Sequence, residues 1–130
     1  MRSDTRNWLD SADYDLATAG HMFNTGRYIY VVYMYHLSLE KALKAVVSED
    51  TGQLPPKTHD LLYLIKLGKV NLTGDLLDFV GRLNGAHIAT RYPEDLQKML
   101  SVFTEEVASD YLDKTKEAVE WLRQDSRLMG

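Results

Sequence analysis

Apolar positions along this chain recur at three- and four-residue spacing almost throughout, which is the pattern of helices packed on one another rather than of strands. The first stripe, Trp8, Ala12, Leu16, Ala19 and Phe23, predicts a helix from Thr5 to Thr25, with Asp4 as its N-cap and Gly26 as its stop. Next comes IYVVYMYH, an aromatic and β-branched stretch that reads locally as a strand, but it runs without a turn signal into the helix-forming SLEKALKAVV. One long helix from Tyr28 to Glu49 is the consistent reading. It is apolar on most sides, so it is expected to be the central and most buried member. QLPPK is an extended connection, and Thr58 is expected to cap a short helix from His59 to Leu67 that stops at Gly68. Thr73 opens a fourth helix over Gly74 to Ala89, which ends ahead of Pro93 because proline disfavours the α region for Tyr92. Residues 93–103 read as a loop or short turn. Thr104, followed by Glu105 and Glu106, starts the last helix, with Val107, Tyr111, Ala118, Trp121 and Leu122 turned inward. The fold expected is all-α: an antiparallel up-and-down bundle of four to five helices, one domain over residues 1–130.

Composition narrows what such a bundle does. A chain of 130 residues buries enough surface to fold without disulfide or metal. It has no cysteine, which removes disulfides, thiolate zinc sites and a cysteine nucleophile. MRSDTRNW places charges where a secretory signal would need an apolar run, and the apolar run from Tyr28 to Tyr35 is far short of the about 20 residues that cross a bilayer. A cytoplasmic protein without membrane attachment is expected. The net charge of −4 gives no global attraction to nucleic acid, so contact with RNA needs a local basic site. No Gly-rich phosphate loop, GKT or GKS string, or serine elbow is present.

Five segments in order, WLDSADYDLATA, GRYIYVVYMYHLSLEKALKA, KTHDLLYL, ATRYPEDL and FTEEVASDYLDKTKEAVEWL, resemble the HEPN (higher eukaryotes and prokaryotes nucleotide-binding) family over Trp8 to Leu122. The likeness is strongest to the branch carrying EKALKA and RYP. It implies a helical bundle that forms a homodimer, needs no cofactor or metal, and binds RNA or a nucleotide. Members of the wider family are metal-independent ribonucleases, several of them toxins paired with a small nucleotidyltransferase. Others have lost catalysis and serve as nucleotide-binding or adaptor subunits.

Active members carry an arginine followed by a histidine after four to six residues, and Arg82 and His87 fit with four between them. RNA cleavage without metal needs a base for the ribose 2′-hydroxyl, an acid for the leaving oxygen and a cation for the phosphorane; imidazole and guanidinium suit these roles. By resemblance Arg82 and His87 are the catalytic candidates, with Asn84, Arg91 and Tyr92 as RNA- or nucleotide-binding candidates. An offset of five turns two side chains about 140° apart on a helix, so a site composed across the dimer is easier to build than one within a subunit. Residues 82–92 hold two arginines and a histidine but no carboxylate, and Gly81 and Gly85 leave the backbone approachable there. Leu83, where active members usually place a small polar residue, and Ala89, where the toxin branch often has tyrosine, favour the non-catalytic alternative.

The remaining polar residues take structural readings. His36 stands four before Glu40 and suits an intrahelical contact, and His59 suits closure of the third helix start. With Glu40 the two histidines show no metal-ligand spacing. Lys41 and Lys44 are expected in solvent or paired with acids of the last helix.

Overall fold

Helix α2 (Tyr28–Thr51) runs through the centre of the protein and touches every other helix. The strand-like stretch is helical because most of its side chains are buried there: Ile29, Val31, Val32, Tyr35 and His36 are each at most 3% exposed, and Tyr30 faces solvent. Full burial of such side chains contributes about 1.5–3 kcal/mol apiece, which outweighs the slight helix penalty of β-branched residues. The structure, a computed structural model, describes residues 1–91 and 94–129, and of Arg91 the backbone only. Among the described residues there is no strand, and α2 is joined by α1 (Ser3–Asn24), α3 (Leu61–Leu67), α4 (Gly74–Arg91), α5 (Leu96–Val102) and α6 (Glu105–Arg123), followed by a 3₁₀ turn at Ser126–Leu128. None of these helices is long and apolar enough to cross a membrane.

Polar links fix how α1 lies on α2. Thr5 donates to Ser48 at 3.2 Å, Ser38 donates to the Ala12 carbonyl at 2.8 Å, and Lys41 pairs with Asp15 at 2.7 Å. Early residues of α1 meet late residues of α2, so the pair is antiparallel. The turn between them is a Schellman motif, in which Arg27 N–H reaches the Met22 carbonyl and Gly26 N–H reaches that of Phe23. Gly26 supplies the left-handed residue at φ 77°. At the other end of the bundle Arg127 donates to the Gly68 carbonyl at 2.6 Å and to Asp50 at 3.0 Å, tying the C-terminal turn to α2 and α3.

Three expectations about ends change. Asp4 sits inside the first turn of α1, paired with Arg2, and does not cap it. The cap of α3 is Asp60, whose carboxylate accepts from Leu62 and Tyr63 N–H, so the helix starts at Leu61 rather than His59; Thr58 instead accepts from Asp60 N–H. Residues 93–103 contain α5, capped by Asp95 through Lys98 N–H. None of its residues is buried, so no apolar stripe advertises it. Thr104 caps α6 as its sequence implies, through Val107 N–H. On that helix Ala118 and Leu122 are buried and Val107 and Tyr111 pack partly, whereas Trp121 stays exposed.

Candidate functional site

The QLPPK connection brings the chain back beside the middle of α2, so that His59 meets a carboxylate far from it in sequence. His59 Nδ1 lies 2.8 Å from Glu40 Oε1. The second oxygen of Glu40 accepts from Lys44 Nζ at 3.0 Å, and His36 Nδ1 stands 3.8 Å from Oε1. Glu40 and Lys44 are both buried, and Lys44 also lies over the Trp8 ring at 5.5 Å. A charge taken from water is tolerated only with a partner and hydrogen bonds, and each supplies these to the other. Lys44 is therefore neither solvated nor paired with the last helix, and Lys41 pairs with α1.

Helix α4 adds the second wall. His87 stacks face to face on His36 with centroids 3.9 Å apart, lies nearly parallel to Tyr33 at 5.9 Å, and stands 5.4 Å from the ring of His59. Burial, then the neighbouring charge of His87, pushes His36 down to about 3, against the raising effect of the Asn84 side chain. His36 is thus neutral near neutral pH, and its stacked contact with His87 presents ring faces rather than nitrogen lone pairs. Among the described residues no group of three or more His, Asp or Glu side chains is arranged to hold a metal ion. One turn before His87, Asn84 accepts from Leu61 N–H at 2.8 Å and donates to Asp60 at 3.1 Å, which pins the start of α3 to α4. His59, Asp60, Asn84, His87 and Ile88 enclose a cleft of about 340 Å³, within the roughly 300–1,000 Å³ typical of small-molecule sites. His87 is 7% exposed at its floor, His59 is half-exposed at its side, and Ile88 stands exposed at the rim.

Of the residues singled out in the sequence, Asn84 and His87 share this cleft. Arg82 does not line it. Its guanidinium rests over the Phe79 ring at 5.9 Å and borders a separate groove against α6, together with Glu105, Glu106, Asp110 and Asp113. The side chain of Arg91, and Tyr92 altogether, lie outside the described residues. A Cβ at Gly81 or Gly85 would meet nothing within 4 Å, so neither glycine is demanded by close helix packing. Glu40 and His59 enter the site although their sequence positions suggest structural roles only. The available cue was the trio of His36, Glu40 and His59, which lacks regular spacing because a chain reversal brings it together.

A helical bundle with a histidine-lined cleft between the start of α3 and α4 is the class that the geometry defines. The chain belongs to the HEPN family: the HEPN domain model matches residues 5–125. The fold is also that of TT1696 from Thermus thermophilus, with a TM-score of 0.82, 24% identity, and 95% of this chain and 98% of that one covered. It is similar as well to ST0689, an archaeal HEPN homologue, with a TM-score of 0.74, 18% identity, and 94% and 97% covered. No curated protein matches the chain.

Proposed function

We propose that this protein is a metal-independent ribonuclease acting as a homodimer, the HEPN component of a pair with a small nucleotidyltransferase. The observation that carries the reading is His87 at the floor of a cleft, 5.4 Å from a second imidazole that a buried carboxylate holds in place. A phosphodiester in such a cleft has proton-transfer groups within reach of it. Arg82 lines another groove of the same subunit, and this supports a site in which the guanidinium comes from the partner. Arg82 of one subunit then clamps the scissile phosphate and stabilises the phosphorane, while His87 of the other transfers protons. The test is cleavage of RNA in EDTA by the wild type, His87→Ala and Arg82→Ala. Each substitution is expected to lower the rate by roughly 10²-fold or more. Wild-type protein with no activity above background overturns the reading.

One observation favours a second reading, a non-catalytic nucleotide-binding or adaptor subunit. Arg82 borders a groove with four carboxylates, which compete with phosphate for its guanidinium. Growth arrest on expression alone, relieved by a co-expressed nucleotidyltransferase, supports the ribonuclease. Co-purification with that partner and no arrest supports the adaptor.

A further inference from the structure

We propose that His59, positioned by Glu40, is a second catalytic residue of this cleft: the general base that takes the ribose 2′-hydroxyl proton while His87 protonates the leaving oxygen. The inference rests on the ribonuclease reading and deepens it, because one histidine alone leaves half of the proton transfers without an owner.

Glu40 holds the His59 ring from the buried side. A buried carboxylate on an apolar helix is costly, and this one has each oxygen committed: Oε2 to Lys44 at 3.0 Å and Oε1 to His59 at 2.8 Å. Contact with an acceptor-only carboxylate places the proton of a neutral imidazole on Nδ1. The opposite nitrogen, Nε2, then carries the lone pair. Since the ring is half-exposed and lines the cleft, that nitrogen is the one offered to a bound molecule. A carboxylate that fixes tautomer and orientation while the far nitrogen does the chemistry is the arrangement that makes imidazole an efficient base. The charged and titratable groups around the ring are Glu40, Lys44 and His36 from α2, the adjacent Asp60, and His87 from α4.

The second ring completes the pair. His59 and His87 are tilted by 46° with centroids 5.4 Å apart, a spacing that a single phosphate group can bridge. The step balances without any co-reactant. Nε2 of His59 accepts the 2′-hydroxyl proton as that oxygen bonds to phosphorus. The bond from phosphorus to the 5′-oxygen breaks, and the departing oxygen takes the proton carried by His87. The products are a 2′,3′-cyclic phosphate and a free 5′-hydroxyl, with the proton moved from one ring to the other and returned through solvent.

Two substrates separate the two roles. A short RNA oligonucleotide has a poor leaving group, whereas a nucleoside 3′-(4-nitrophenyl) phosphate releases a phenolate that needs no proton. In EDTA, with the full-length protein, His87→Ala is expected to slow the oligonucleotide by roughly 10²-fold or more and the nitrophenyl ester by a much smaller factor. His59→Ala is expected to slow both substrates by roughly 10²-fold or more, and free imidazole in solution restores part of that loss. Glu40→Gln is expected to lower kcat on both with KM unchanged. Equal activity of His59→Ala and wild type, or a loss that imidazole does not rescue, overturns the assignment of His59 and leaves the ribonuclease reading standing. A wild type that cleaves neither substrate overturns both.

Discussion

His36 has no exposed surface, and His87 covers one face of its ring. Its pKa in the folded protein is pushed down to about 3, whereas a histidine in the unfolded chain titrates at about 6.5. Between those values the unfolded chain binds a proton that the folded protein refuses. Stability from this residue is therefore complete above pH ~6.5 and is lost as the pH falls toward ~3, at up to about 1.4 kcal/mol per pH unit. Urea midpoints measured at pH 7 and pH 5 are expected to differ accordingly, and His36→Leu is expected to shrink the difference. Glu40 invites a second test at this scale. Glu40→Ala leaves the Lys44 ammonium buried without its carboxylate and is expected to cost about 3–5 kcal/mol in urea unfolding. Helical spacing makes His36 and Glu40 neighbours, whereas no regular spacing links His59 to them. Helical spacing reports contacts within one element; the Glu40–His59 contact spans 19 residues and depends on the course of QLPPK.

Among elements, α3 is held chiefly from outside. It has seven residues, too few to be stable alone, and its start is fixed by Asp60 and by Asn84 from α4. Asp60→Ala is expected to cost about 1 kcal/mol as a lost N-cap. Asn84→Leu is expected to cost about 1–3 kcal/mol, because Leu61 N–H loses its acceptor in a part-buried site. Both changes widen the cleft wall, so thermal melts and RNA cleavage are expected to decline together. The long helices were legible because their apolar stripes and punctuation agree: Gly26 ends α1 and Thr104 opens α6 where the sequence placed them. Sequence alone points to the wrong cap for α3 because Thr58 and Asp60 stand within three residues and are both good N-caps. Helix α5 escaped because Leu96, Leu100 and Val102 are exposed, so LQKMLSV shows no buried face to set against Pro93.

For the whole molecule, the net charge of −4 offers no broad basic surface, so the proposed RNA substrate has to be held by a few local contacts. The motif pairs Arg82 with His87, and its spacing of five turns the two side chains apart on one helix. Arg82 and His87 indeed line different clefts of one subunit. A homodimer is the way the proposed reaction brings them together, and mixed dimers test this most directly. Arg82→Ala and His87→Ala proteins are each expected to be nearly inactive. In a mixed dimer one composite site is wholly intact and the other carries both substitutions. Random exchange in an equal mixture makes half the dimers mixed, so about a quarter of the wild-type RNA cleavage rate is expected to return in EDTA. A mixture that exchanges subunits yet shows no more activity than either parent contradicts the composite site.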